Sequence, residues 1–560
     1  MIQKTLIKEP EIWTDKAQYL KGETVNLYFL PQENDESFPQ LELFYLANTC
    51  LCRPEWKREV KNGIIHLIAS IKNLEEGYYG VEVQWKTGYA STAFDITTDR
   101  SKDIRYGFLS DFTKEDTGEE DITFASKLHL NASQFYDWMY RHDKLVADVE
   151  HYTDPLGRDT RLSVIKEKVN ACRQHGIRPF AYGAVYAATE EIFHKHPEWA
   201  VYTFDKQPMR FAEWLYYMNT SEDCPWSTYI VGQYANAVRI LGFQGIHMDT
   251  YGFPKHVWNS EGESVALEKT FPSLIRNSYF SVTKIDKEAG VIFNAVNNWP
   301  VEAVADTLQD AVYIEVWPPH DTYFDLYGLI MKAKQLSNKP VVLAAYMKPF
   351  LHADTEELKE AAEAGLLITY SVINASGGRQ LVFGENKGVL CDSYYAKYAT
   401  MREEFLPVVQ KYCDFALRYT PLFSTENTLD ISMTATNGIN EDIIFSAAEG
   451  IRFSSDGKAD TVWTIVKESD NHLVIQLINL VGITDRWNEG KPIKPALVQN
   501  ITISILLDQQ VSGVFSAAPE LNYGKAVKLN HYMEVRKNGR YWIVEVPDLN
   551  IWKTIWLEIN

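Results

Sequence analysis

The chain reads as a multidomain protein, α/β plus all-β, with a central (β/α)8 TIM barrel between two antiparallel β domains. Three observations carry that reading. At 560 residues the chain exceeds what one ordinary core accommodates. Short apolar runs alternate with longer amphipathic stretches through its middle, and both ends carry β-branched and aromatic runs cut by turn residues. The expected units are a β-sandwich at 1–100, the barrel at 101–420 and a second β domain at 421–560.

In the first unit Thr24–Leu30, Leu41–Leu46, Ile64–Ile71, Tyr78–Lys86 and Ala90–Thr97 alternate as short strands, separated by turn-rich pieces such as Pro31–Glu36 and Asn73–Gly77. Eight candidate strands then follow: Ile104–Phe112, Gln134–Met139, Arg178–Tyr186, Gly242–Tyr251, Gly290–Trp299, Ala311–Trp317, Lys339–Met347 and Gln380–Glu385. Helical stretches at Thr160–His175, Ser264–Ala289, Leu326–Gln335, Thr355–Val372 and Ser393–Tyr419 lie among or after them. Asp354, three residues before Glu357, has capping-box spacing, and Ser376-Gly377-Gly378 reads as a helix stop. Beyond 420, Asp460–Lys467, His472–Leu480, Val498–Leu507, Tyr541–Val546 and Ile551–Ile559 return to strand composition. No internal repeat or long linker separates the units, so they are expected to pack together.

Composition removes several classes of function. The formal charge of −20 would repel a phosphate backbone, so nucleic acid is not an expected partner. Aromatic residues reach 13%, and flat rings suit sugar faces as well as cores. Cys50, Cys52, Cys172, Cys224, Cys391 and Cys413 are too scattered for a disulfide framework and contain no Cys-x-x-Cys pair, so they read as buried thiols. No run approaches the ~18 apolar residues of a membrane span, and Met1–Pro10 lacks the apolar stretch of a signal peptide. The protein is therefore either cytoplasmic or one whose export signal lies outside this sequence.

The chemistry-bearing residues fall at strand ends. In Gly-Phe-Gln-Gly-Ile-His-Met-Asp (242–249) the alternation puts Gly245, His247 and Asp249 on one face, with Ile246 and Met248 on the other. In Ala-Val-Tyr-Ile-Glu-Val-Trp (311–317) it groups Tyr313, Glu315 and Trp317 against Val312, Ile314 and Val316. The apolar sets should meet the surrounding helices, leaving Asp249 and Glu315 to point inward from the fourth and sixth strands, which have the same parity. Two facing carboxylates are the equipment for glycosidic cleavage, one as nucleophile or base and one as acid. The alternative is a pair of half-buried acids in structural ion pairs; their place at barrel-strand ends favours catalysis. Asp111, closing Tyr-Gly-Phe-Leu-Ser-Asp (106–111), either tunes the site or caps the following loop.

Candidate sugar contacts are Tyr136, Asp137, Trp138 and His142 after the second strand, and Tyr182 and Tyr186 at the third. His247, Tyr251, Asn294, Asn297, Trp317, Tyr346, Lys348 and Glu385 occupy later strand ends. His247 beside Asp249 could suggest a metal, but no second histidine has ligand spacing, so a core hydrogen-bonding role is preferred. No metal and no cofactor is expected in the chemistry.

At these motifs the chain resembles the dextranases of glycoside hydrolase family 66. Besides 106–111, 242–252 and Tyr-Ile-Glu-Val-Trp (313–317), the likeness includes Phe-Tyr-Asp-Trp-Met-Tyr-Arg-His (135–142). It extends to the order of units, which in that family are an immunoglobulin-like β-sandwich, a barrel and a Greek-key β domain. The resemblance implies Asp249 as nucleophile, Glu315 as acid/base and Asp111 as a supporting carboxylate. It implies retaining endo-hydrolysis of α-1,6-linked glucan (dextran) to isomaltooligosaccharides. Family members that instead cyclise isomaltooligosaccharides by transglycosylation carry a carbohydrate-binding module near the seventh barrel strand, where this chain has only a short loop between Met347 and Thr355. A non-catalytic glucan-binding surface protein and a retaining α-galactosidase-like enzyme are the rival readings. A polymer the size of dextran points to an extracytoplasmic enzyme.

Overall fold

The computed structural model describes residues 10–31, 38–61, 64–86, 88–424, 428–436, 438–489 and 494–559. All of the expected turn at 31–36 except Pro31 lies outside them, as do residues 1–9 of the N-terminal stretch.

The site is built on one long curled sheet. Its parallel strands Tyr106–Leu109, Ala132–Phe135, Arg178–Ala184, Gly245–Asp249, Gly290–Val296, Val312–Glu315, Val341–Ala344 and Arg379–Gln380 each pair with the next in sequence order. The segment that ends the series also returns to its beginning, because Gly384 pairs in parallel with Phe108 while Leu381 N–H donates to Leu343 O at 3.0 Å. At least one helix occupies each connection, namely Glu120–Lys127, Leu162–Gln174, Pro225–Asn236, Phe271–Thr283, Val301–Val304, Tyr323–Leu336 and Glu356–Ser376. Close packing between strands explains one glycine: a Cβ on Gly245 would lie 2.3 Å from the Phe180 ring.

Several expected boundaries move for local reasons. The second strand ends at Phe135, and Asp137 turns the chain with φ 46°. The Pro225–Asn236 helix has no counterpart among the expected elements; a wide turn at Ala237–Leu241 and left-handed Gly242 end it, so the fourth strand starts at Gly245. Ser264–Ala289 contains an α-helix only over Phe271–Thr283, because Ser264–Ala266 pairs with His256–Trp258, a 3-10 turn follows at Leu267–Lys269 and Pro272 sets the first α-helical turn. Ser393–Tyr419 is likewise α-helical only over Leu406–Arg418, again with proline in the first turn. The helix expected at 326 starts at Tyr323 under a capping box of Thr322 and Asp325. Thr355, not Asp354, caps Glu356–Ser376 by accepting from Leu358 N–H, and Gly377 at φ 90° stops that helix as expected.

At the N-terminal end a four-stranded and a five-stranded sheet share one core, with Leu27, Phe29, Val81, Val83 and Phe94 at its centre. At the C-terminal end a seven-stranded and a four-stranded sheet do the same around Ile475, Leu477, Ile503 and Val544. Strands at Glu11–Thr14, Glu55–Lys61, Val511–Ala517 and His531–Arg536, with several shorter ones, extend these sheets beyond the expected set. Cys50 and Cys52 are half-exposed rather than buried, because they sit at the edge of the first of these cores; the other four cysteines are buried.

The ends are fastened to the middle by buried charge. Arg105 pairs with Asp95 at 2.8 Å and Asp103 at 2.7 Å, and Asp103 also holds Arg379 at 2.8 Å. Burial works against the Asp103 charge, yet the guanidiniums of Arg379 and Arg105 keep its carboxyl well below the usual range. Elsewhere Glu82 joins Arg418 at 3.1 Å and Lys525 at 2.7 Å, one residue from each of the three regions.

Candidate active site

A cleft of about 730 Å³ opens at the carboxyl ends of the parallel strands. Side-chain alternation delivers Asp249 and His247 from the fourth strand to its wall, together with Glu315, Tyr313 and Trp317 at the sixth. Ile246, Met248, Val312 and Ile314 turn the other way and are fully buried.

Asp249 and Glu315 are joined by one side chain. Asn294, on the intervening fifth strand, donates through its amide nitrogen to Asp249 Oδ1 at 2.7 Å and to Glu315 Oε2 at 2.9 Å. Those two oxygens are therefore no further apart than the sum of the two bonds. The remaining oxygens are held symmetrically: the Tyr182 hydroxyl donates to Asp249 Oδ2 at 2.7 Å and the Tyr346 hydroxyl to Glu315 Oε1 at 2.7 Å. Burial pushes both carboxyls upward, and the Glu315 charge adds to the rise at Asp249, while these donors oppose it. Two carboxylates this close in a low dielectric do not both ionise readily, so the pair retains one proton into the neutral range.

Other expected residues also reach the cleft. Tyr136 stacks on Tyr395 with centroids 4.3 Å apart. Asp137, only 4% exposed, has its carboxyl raised to about 7 by burial despite Arg158 nearby. His142 and His247 are buried neutral imidazoles, lowered to about 4 and about 3 by desolvation. His247 Nδ1 lies 3.2 Å from the Tyr106 hydroxyl, the core hydrogen bond expected for it. Tyr251, Asn297 and Trp317 line the wall as well. Among the described residues no group of three or more His, Cys, Asp and Glu side chains is arranged to hold a metal ion.

Five expected residues stand behind the cleft rather than in it. Trp138 is fully buried and donates its indole N–H to Tyr182 O at 3.1 Å. Tyr186 donates to Phe253 O at 3.1 Å and so braces the loop after the fourth strand. Lys348 places its ammonium 5.7 Å from the Trp317 ring centre. Asp111 accepts from the Tyr398 hydroxyl at 2.9 Å and lies 3.6 Å from Arg158.

Glu385 is withdrawn furthest. It is 0% exposed, accepts from Ser110 N–H, Ser110 Oγ and Asp111 N–H, and faces the buried Lys168 ammonium at 3.4 Å. It clamps the end of the first strand instead of meeting ligand. Glu385→Ala should lower unfolding free energy by about 3–5 kcal/mol in a denaturant titration, because it strands two N–H groups in the interior and leaves the buried Lys168 ammonium with only Asp111 O and Asp121. An unchanged midpoint would refute this assignment.

The cleft also contains residues that strand-end reasoning passed over. Tyr395 reaches in from the loop after 390 and meets the Tyr313 hydroxyl at 3.1 Å and Gln134 Oε1 at 3.3 Å. Phe211 and Trp214 come from a hairpin outside the parallel sheet. The only local signal for Tyr395 was its place after the turn-forming Asp392-Ser393 pair.

The sequence model described as Glycosyl hydrolase family 66 matches residues 14–556. The chain belongs to that family. Among curated relatives, a cycloisomaltooligosaccharide glucanotransferase of Niallia circulans is 23% identical, over 98% of this chain and 71% of its own. A dextranase of Streptococcus salivarius is 22% identical, over 78% of this chain and 60% of its own. A solved Paenibacillus sp. cycloisomaltooligosaccharide glucanotransferase, complexed with cycloisomaltoheptaose, superposes with a TM-score of 0.87 at 19% identity, over 98% of this chain and 99% of that one. This family 66 member is thus a glycoside-active enzyme whose mixed α/β fold is shared with that structure. Among its described residues no helix is long and apolar enough to cross a membrane.

Proposed function

We propose that this family 66 enzyme is a retaining endo-hydrolase of α-1,6-glucosidic linkages, cutting dextran to isomaltooligosaccharides by double displacement. The observation that carries the reading is the Asn294 amide shared between Asp249 and Glu315. A shared donor holds Asp249 Oδ1 and Glu315 Oε2 close together, which is compatible with the ~5–5.5 Å between the carboxyl groups of retaining pairs.

In the first step Asp249 attacks the anomeric carbon, the bond to the leaving oxygen breaks, and Glu315 passes its proton to that oxygen. The product is a β-glycosyl ester on Asp249. With Asp249 neutralised by that bond, Glu315 loses its charged neighbour, its pKa falls, and it takes a proton from the incoming water. Water attack regenerates Asp249 and releases sugar with the original α configuration. The Tyr182, Tyr346 and Asn294 donors hold both carboxylates in place through these steps.

The same reading treats the returning parallel sheet as the (β/α)8 barrel, with β domains at 1–100 and 421–560, and places the enzyme outside the cytoplasm, where the polymer is. Transglycosylation to cyclic products is the second reading, favoured by the names of two relatives. Against it, a short helical turn at Lys348–His352 is all that lies between the seventh strand and the Glu356–Ser376 helix.

Incubation with dextran, pullulan and starch, followed by proton NMR of the first products, tests linkage and stereochemistry together. Dextran alone should be cleaved, with the α-anomer appearing first. A β-anomer, or dextran left intact, defeats the proposal; mainly cyclic products select the second reading.

A further inference from the structure

Outside the parallel sheet, three short antiparallel strands, Ala187–Thr189, Leu215–Tyr217 and Arg210–Phe211, form a flap at the cleft edge. Phe211 pairs with Leu215, so residues 212–214 make the tip. Ala212 and Glu213 both have positive φ, 50° and 65°, although neither is glycine or asparagine. Left-handed backbone of this kind is unfavourable for L-residues and is retained where surroundings or function demand it.

The turn delivers Trp214. Its side chain lines the same cleft as the carboxylates yet remains 42% exposed, and its indole N–H donates to no protein atom among the described residues. Phe211 anchors the hairpin by stacking on Tyr251, centroids 4.3 Å apart. Beside Trp214, at 5.8 Å and tilted by 40°, is His142. That imidazole is 6% exposed, lines the cleft, and has its buried Nδ1 without a hydrogen-bond partner. A solvent-facing indole beside an imidazole in a polar cleft offers an apolar plate with polar groups at its edge. A pyranose has the complementary pair, a C–H face and a hydroxyl edge.

We propose that Trp214 and His142 form a sugar subsite of the cleft, in which a glucosyl unit beyond the one being cleaved stacks on the indole. This rests on the α-glucan reading above and adds what sets the enzyme's preference for chain length. The hairpin is then a specificity element rather than a cover over His142.

The test compares wild type, Trp214→Ala and Trp214→Phe on isomaltotriose and isomaltoheptaose. For Trp214→Ala the ratio of kcat/KM on the longer to that on the shorter substrate should fall about tenfold, carried by KM, and the Phe variant should recover most of it. Equal losses on both lengths, a loss confined to kcat, or no recovery by Phe would overturn the subsite. A second readout avoids turnover: in a Glu315→Gln background, dextran should change tryptophan emission, and Trp214→Phe should diminish that change, leaving only what Trp299 and Trp317 of the same cleft contribute. If the wild type cleaves no α-1,6-glucan, the proposed function fails instead. The emission titration repeated with pullulan and starch then decides the subsite, since a response diminished in Trp214→Phe supports it and an unaltered response removes it.

Discussion

Asp249→Gly should lose dextran turnover by at least ~10⁴-fold and recover part of it when a small anion such as azide is added. The reason lies in what the fold leaves behind. Removing the side chain empties the space between the Tyr182 hydroxyl and the Asn294 amide, which both aim hydrogen-bond donors at it. An anion entering there meets the same donors and can attack the anomeric carbon from the face the carboxylate used, while Glu315 still protonates the leaving oxygen. The product is a glycosyl azide of inverted, β configuration, which NMR identifies. Folding should survive, since both donors border an open cleft. Undiminished cleavage of dextran by Asp249→Ala would take this residue out of the mechanism.

Glu315→Gln should reduce dextran turnover by ~10²–10⁴-fold, the range associated with a positioned general acid. A substrate with a leaving group that needs no proton should lose much less in its first step. The glycosyl-enzyme should then accumulate, because no base activates the water that releases it. The pH profile gives an independent check. In the wild type, activity should fall on the acid side as Asp249 takes up a proton and on the alkaline side as Glu315 gives one up. Burial raises both carboxyls, and an ionised Glu315 raises Asp249 further. Glutamine is neutral like the protonated Glu315 present on the acid side, so the acid limb should stay in place and the alkaline limb should vanish for the activated substrate. A profile that keeps its alkaline limb in Glu315→Gln would assign that limb to another group.

Much of the site was legible because strand alternation is a local property. His247 and Asp249 share a face, as do Tyr313, Glu315 and Trp317, and the cleft receives all five. The same logic fails at Trp138, Tyr186 and Glu385, which also sit near strand ends but turn into the interior, where indole, phenol and carboxylate find main-chain partners. It fails differently at Trp214 and Tyr395, which arrive from a hairpin and a loop with no strand period to mark them. Helix boundaries moved where prolines and paired strands interrupted amphipathic stretches, as at Phe271 and Leu406.

The sequence by itself determined the parallel-strand order, the inward faces of the fourth and sixth strands and the two carboxylates they carry, because the period of a pleated strand is set residue by residue. Only the tertiary structure decided that one asparagine amide spans both carboxylates, that a tyrosine holds each, and that Asp111 and Glu385 stand behind the cleft. Those outcomes depend on the distances between strands around the curled sheet and on which buried polar group finds a partner first, and no stretch of chain encodes either alone.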